Sequence, residues 1–237
     1  MTKPFQFKQF QIHQDRCAMK VGTDGVLLGA WTSLQHQPES ILDIGSGTGV
    51  IALMLAQRSN ADTVDAIEIN EDAYEQCMDN FESSDWADRL FCYHAALDEF
   101  VDELDDEYDL IVSNPPFYSE MVSSGDESRD LARQNQSLPF EELLSGVAKL
   151  MSNNGTFSTI IPYKEEQVFL EKARIFNLFP KRITRVKGNP DSELKRSLIE
   201  FQFGNISVST NDLTIELERH KYTQEYIELT KDYYLKM

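Results

Sequence analysis

The segment Asp43-Ile44-Gly45-Ser46-Gly47-Thr48-Gly49 constrains this chain more than any other. Ile41–Gly45 reads as a buried strand and Val50–Arg58 (VIALMLAQR) has helical spacing, so three alternating glycines join a strand to a helix. Glycine lets the backbone come close to a ligand, and the start of a helix exposes amide donors. The spacing is not that of the dinucleotide fingerprint G-x-G-x-x-G, because the third glycine comes one residue early and Val50 stands where that motif requires glycine.

The pattern continues along the chain. Thr63–Ile69, Leu90–Ala95, Asp109–Ser113 and Gly155–Ile161 read as further strands, with helices over about 70–83, Phe140–Met151 and Glu165–Phe176. Such alternation predicts a parallel sheet covered by helices on both faces. Arg182–Lys187 and Ser197–Phe203 read as two more strands joined through Gly188-Asn189-Pro190-Asp191, too short a link for a crossover helix, so this pair is predicted antiparallel. Gly22-Thr23-Asp24-Gly25 reads as a turn or helix cap before an apolar helix. Tyr118–Pro139 is a long polar loop, of a length that is usually functional or disordered.

Two polar groups stand where the ends of parallel strands gather ligands. Glu68 ends the second strand, 25 residues after Asp43, where an acidic residue can accept both hydroxyls of a ribose. Asn114-Pro115-Pro116-Phe117 follows the fourth strand. The Asn114 side-chain carbonyl and a backbone carbonyl of the Pro-Pro segment can accept the two hydrogens of a planar –NH₂ group and aim its nitrogen lone pair. The prolines add no amide donors, and Phe117 offers a face for a base to stack on.

The glycine segment resembles the D-x-G-x-G-x-G signature of S-adenosylmethionine enzymes, and a parallel sheet closed by an antiparallel pair is the outline of a class I methyltransferase. Asn114–Phe117 resembles the N-P-P-[FY] motif shared by adenine N6-, guanine N2- and glutamine N5-methyltransferases. The leader Phe7–Phe10 with Asp15–Trp31 (DRCAMKVGTDGVLLGAW), the Arg196 stretch and the Tyr226–Met237 end are similar to the bacterial tRNA1(Val) adenine-37 N6-methyltransferase family. The resemblance implies a Rossmann-like α/β fold with a mostly parallel seven-stranded sheet and an antiparallel last strand. It implies a single domain over residues 1–237, with an N-terminal extension (1–40) covering the cofactor pocket, a substrate loop (118–139) and a C-terminal extension (205–237). It implies S-adenosylmethionine held by Lys20, Thr23, Asp43, Gly45, Gly47, Gly49 and Glu68, with Asp24 flanking the pocket and Asn114, Pro115, Pro116 and Phe117 at the chemical end. S-adenosylmethionine enzymes with this glycine signature commonly have an acidic residue after the third strand for the cofactor adenine. Here the sequence reads His94-Ala95-Ala96-Leu97-Asp98, which makes Asp98 the candidate and puts Ala96 at the expected place.

The formal charge of −18 argues at first sight against an RNA partner. Its distribution changes that argument. Residues 41–128 carry 22 Asp/Glu against two Lys/Arg, whereas residues 129–237 carry 15 against 16. A basic stretch over 174–196 can therefore meet phosphates. Arg129, Arg133, Lys195 and Arg196 are the candidate RNA contacts, and a target base has to be turned out of its loop to reach Asn114. The longest apolar runs fall far short of the ~20 residues of a membrane span, and residues 1–7 contain no apolar signal core. Cys17, Cys77 and Cys92, sparse and without CxxC spacing, suit reduced thiols in the cytoplasm. The four histidines show no metal spacing, so no metal is expected, and no obligate protein partner is indicated. The expected reaction is N6-methylation of a tRNA anticodon-loop adenine. Ribosomal RNA methylation at guanine N2 or adenine N6, protein glutamine N5 methylation and a non-catalytic nucleotide-binding module are the alternatives.

Overall fold

The computed structural model describes residues 3–103, 106–116 and 138–236. The order of elements is β1 (Phe5–Gln6), β2 (Gln11–Ile12), α1 (Thr23–Trp31), β3 (Ser40–Ile44), α2 (Val50–Arg58), β4 (Thr63–Glu68), α3 (Glu71–Glu82), β5 (Leu90–His94), α4 (Leu97–Glu103) and β6 (Tyr108–Ser113). Then come α5 (Phe140–Leu150), β7 (Met151–Pro162), α6 (Glu166–Ile175), β8 (Leu178–Lys187), β9 (Leu194–Phe203), β10 (Ser209–Thr214), β11 (Glu216–Glu218), β12 (Lys221–Tyr222) and α7 (Gln224–Thr230).

The strands β3, β4 and β6 are apolar and almost wholly buried, as strands covered on both faces must be. They lie in one sheet of order β10-β8-β9-β7-β6-β3-β4-β5. All neighbours are parallel except β9, which runs antiparallel to both β7 and β8. The expected antiparallel pair is thus present. The expectation of seven strands is corrected to eight: Ser209–Thr214 adds in parallel to the outer edge of β8. Its sequence, STNDLT, is polar and mostly exposed, so no alternation of apolar residues announces it. With β10 counted, the antiparallel strand is the last but one.

Side chains alternate across the sheet and feed two cores. Ile41 joins a cluster with residues of α1, α2 and α3 and with Tyr226 of α7, while Leu42 and Ile44 join one with residues of α4, α5 and α6. Helices therefore cover both faces. α4 is a further helix that no apolar periodicity announces, since its seven residues (LDEFVDE) bury only Leu97 and Phe100. The cap of α1 is Gly22, without a side-chain hydrogen bond, so Thr23 is the first helical residue and not the cap.

The leader is fastened to the far end of the chain. Phe7 forms an antiparallel bridge with Tyr234, the Lys8 amide donates to the Tyr233 carbonyl at 2.8 Å, and the Phe7 and Tyr234 rings stack at 6.0 Å. No helix among the described residues is long and apolar enough to cross a membrane.

Candidate functional site

The site grows from the carboxyl ends of β3, β4 and β6, where a parallel sheet gathers its ligands. Gly45, Gly47 and Gly49 all have left-handed backbone, with φ of 72°, 54° and 76°. A Cβ at Gly45 or Gly47 would meet nothing within 4 Å, so these two face open space. One at Gly49 would lie 2.6 Å from Phe81 and 2.8 Å from the Cys77 sulfur. The first two glycines shape a cradle and the third lets α2 start against α3. The Gly45 and Ser46 amides donate to the Ile67 carbonyl at 2.9 and 3.1 Å, which fixes the base of the loop to β4.

Asp43 lies fully buried under this loop, in phase with Ile41 and so on the face covered by α2. Its Oδ2 accepts the Ala52 amide at 3.2 Å, and its Oδ1 meets no donor among the described residues. Burial pushes its carboxyl up to about 7, with the nearby Glu68 charge acting in the same sense and the Ala52 amide against it. Glu68 spans the mouth of the loop: Oε2 accepts the Gly47 amide at 2.8 Å and Oε1 the Asn70 amide at 2.9 Å.

The leader is tied to this end of the molecule through α3. Asn80 of α3 is buried and works as a clamp. It accepts the His13 amide and donates to the His13 and Thr48 carbonyls, all at 2.9 Å, tying leader and glycine loop to one side chain. Gln76 accepts the Arg16 amide one turn earlier. No local pattern marks this clamp in the sequence, because its partners lie 32 to 67 residues away. Beyond the clamp, Cys17 lies close enough to Glu68 that its thiol, raised mainly by burial to about 11, also feels that carboxylate. Lys20 and Thr23 are exposed on the leader and on the first turn of α1, and Asp24 accepts from Arg196 Nε at 2.8 Å.

Asn114 leaves β6 one residue beyond Ser113, and Gly45 leaves β3 one residue beyond Ile44. These two preceding residues are partners in the sheet, and the Ser113 hydroxyl donates to the Ile44 carbonyl at 2.9 Å. The candidate amine-binding segment therefore starts beside the candidate cofactor loop, one strand spacing of about 4.8 Å away. Asn114 and Pro116 are partly exposed and Pro115 is buried. Phe117, Arg129 and Arg133 lie outside the described residues. Asp98 sits exposed in the first turn of α4, four residues past the end of β5, with Ala95 and Ala96 nearer the strand.

The basic stretch is largely spoken for within the chain. Lys181 and Arg182 both pair with buried Glu200, at 3.0 and 2.9 Å, and Arg182 also lies 3.7 Å over the Trp31 ring. Arg185 pairs with Glu166 at 2.7 Å, Arg196 with Asp24, and Lys187 donates to the Pro190 carbonyl. These partners lie 3 to 172 residues away, so a count of charges along the chain does not reveal them. Lys195 is exposed and pairs with none of the described acidic groups.

The family model described as the methyltransferase small domain matches residues 24–138. The chain is similar to the tRNA1(Val) (adenine(37)-N6)-methyltransferase of Christiangramia forsetii, 61% identical over 238 residues that cover 100% of this chain and 99% of that protein. It is 60% identical to the enzyme of that name from Flavobacterium johnsoniae, over 98% of this chain and all of the relative, and 43% identical to that from Parabacteroides distasonis over the whole of both. Among solved structures it is similar in fold to a predicted O-methyltransferase from Agrobacterium tumefaciens, with a TM-score of 0.68 and 17% identity over 89% of this chain and 96% of that one. It is likewise similar to a methyltransferase from Pyrococcus furiosus, with a TM-score of 0.54 and 24% identity over 74% and 80%.

Proposed function

The chain belongs to the tRNA1(Val) (adenine(37)-N6)-methyltransferase family, and from that premise we propose that it methylates N6 of adenine 37 in tRNA1(Val), with S-adenosylmethionine as methyl donor. The observation that carries the proposal is the pairing of Ile44 with Ser113, which sets the glycine cradle and Asn114 at adjacent strand ends.

The residues present suit the cofactor. Gly45 and Gly47 leave an open cradle, Glu68 carries acceptor oxygens at its mouth for ribose hydroxyls, and the unpartnered Asp43 Oδ1 suits a water or an ammonium group. Lys20 and Thr23 would close the pocket from the leader, and Asp98 is the candidate for the adenine amine. When bound, S-adenosylmethionine supplies a methyl group on a positively charged sulfur, already a strong electrophile. No covalent nucleophile is then required of the protein. The work left to Asn114 is to accept one amine hydrogen through its side-chain carbonyl while a carbonyl of the Pro115–Pro116 segment accepts the other. That holds the exocyclic nitrogen with its lone pair free and stabilises the positive charge that grows on it. Phe117 would stack on the adenine turned out of its loop.

The test is transfer of a radiolabelled methyl group by the purified protein to total tRNA, ribosomal RNA and protein fractions, followed by nucleoside analysis. The expected label is N6-methyladenosine in tRNA1(Val). Label confined to guanine N2, to ribosomal RNA or to protein glutamine would replace this reading with one of its alternatives.

A further inference from the structure

The carboxyl end of β7 carries an aromatic ring for which the roles assigned so far have no use. β7 runs parallel to β6 with Thr159 opposite Ser113. Asn114 follows one residue after that rung, and Tyr163 four residues after it. With strands about 4.8 Å apart and a rise of about 3.3 Å per residue, the Tyr163 backbone lies on the order of 11 Å from that of Asn114, on the same ligand-gathering edge. Tyr163 is 37% exposed, which is conspicuous for a large aromatic residue at such a place.

The ring is supported from below. The Arg185 guanidinium carbon lies 5.6 Å from its centroid, within cation–π range. Arg185 is itself fixed: its Nε and Nη2 donate to Glu166 at 2.7–3.2 Å, and the Ser197 hydroxyl donates to the same carboxylate. Glu166 is 7% exposed and Ser197 fully buried. A carboxylate taken this far out of water persists only when well paired, and here the pairing holds a cation against one exposed ring. Across the ladder from Pro162, the residue before Tyr163, stands Arg196, and its sequence neighbour Lys195 is exposed.

We propose that Tyr163 is a stacking platform for an unpaired base of the substrate RNA that neighbours the base presented to Asn114, and that the Glu166–Arg185 pair is its buttress. The proposal rests on the RNA reading above. Its ligand class is a nucleobase in single-stranded RNA, recognised by its face rather than by its hydrogen-bonding edge, so this subsite orders the loop without reading its sequence. Tyr163 is a positioning residue in this account, not a catalytic one.

The experiment uses the full chain and substrate tRNA in which the nucleotide on one side of the target adenine, then on the other, is replaced by 2-aminopurine, whose fluorescence falls on stacking against an aromatic ring. At one of the two positions, wild type and Tyr163→Phe are expected to quench equally on binding. Tyr163→Leu is expected to lose that quench and to raise KM for tRNA about tenfold, with cofactor affinity and kcat at saturation unchanged. Equal quenching by wild type and Tyr163→Leu at both positions overturns the proposal. Should Tyr163→Leu also lose cofactor binding, the judgement passes to Tyr163→Trp, which has to quench at least as deeply as wild type for the proposal to stand. A wild type that methylates no tRNA adenine defeats the RNA reading, an outcome separate from failure of the stacking subsite.

Discussion

The Glu68 carboxylate accepts the backbone amide of Gly47 at 2.8 Å. With Asn70 on its other oxygen, Glu68 is a strut across the mouth of the loop as well as an acceptor facing it. Each oxygen keeps a second lone pair, which under the proposed function would meet a ribose hydroxyl. Glu68→Ala is expected to weaken S-adenosylmethionine binding by about 10- to 100-fold, the loss of one or two charge-assisted hydrogen bonds. Glu68→Gln keeps one acceptor oxygen and is expected to lose less. Isothermal titration distinguishes the two, and unchanged affinity in both would remove Glu68 from the site.

The three glycines are expected to part company under substitution. Gly47→Ala puts a methyl group into open space at a left-handed φ, a strain of about 1–2 kcal/mol, and narrows the cradle. Its main effect should be on cofactor affinity. Gly49→Ala drives a methyl group into Phe81 and Cys77 and should cost stability first, by roughly 2–4 kcal/mol. Thermal unfolding and titration of both variants check the contrast, which fails if the two lose affinity and stability in equal proportion.

Asp43 makes the ligand-free protein sensitive to pH. Its folded-state value of about 7 lies above that of a carboxyl group in an unfolded chain, about 4. The folded protein keeps a proton that the unfolded chain releases, so stability falls as pH rises from about 4 to about 7 and levels off above that. Asp65, also raised by burial, tilts the curve the same way, so the comparison with Asp43→Asn isolates Asp43. The variant should lose less Tm across that window than wild type, by roughly 3–10 °C. Parallel curves would mean that the Asp43 carboxylate is satisfied in the ligand-free protein.

Asn114→Ala should lower kcat by at least about 100-fold, the scale on which a single oriented acceptor or donor acts in a transition state, while cofactor affinity stays within about threefold. Because Asn114 is partly exposed and begins a loop, its removal should leave Tm nearly unchanged. Loss of cofactor binding together with turnover would assign Asn114 to the cradle instead.

Lys195 and Arg196 are adjacent in sequence but differ in their partners. Arg196 holds Asp24 in the first turn of α1, whereas Lys195 pairs with none of the described acidic groups. Lys195→Glu is expected to weaken tRNA binding and reduce the salt slope by about one, with Tm unchanged. Arg196→Glu places two carboxylates together and should lower Tm as well. Binding isotherms at several salt concentrations, with thermal scans, separate the two; an unchanged salt slope for Lys195→Glu removes it from the RNA face.

Local signals in the sequence were strong where the sheet is buried. Val50–Arg58 was predicted with its observed ends, and β4, β6, α3 and α5 to within about a residue, because apolar periodicity reports burial directly. What escaped the reading was set by distant partners. β10 is a polar segment that becomes a strand only because β8 offers it an edge. Most of the apparent basic face dissolves into pairs such as Arg182–Glu200 and Arg185–Glu166 once the sheet brings them together. The strand-end positions of the glycine loop, Glu68 and Asn114 were legible because the buried apolar runs stop there. Asn80 was not, since its two partners, His13 and Thr48, are far from it in sequence.

The bridge between Phe7 and Tyr234 fixes a timetable for synthesis. Phe7 leaves the ribosome 227 residues ahead of the residue that anchors it, by which time every strand of the main sheet has been made. A growing chain can thus pair the strands of its main sheet while the leader still lacks its anchor. Phe7, Phe10 and Ile12 of the leader share one core with Tyr226 and Tyr233, so that core closes only once the end of the chain has been made.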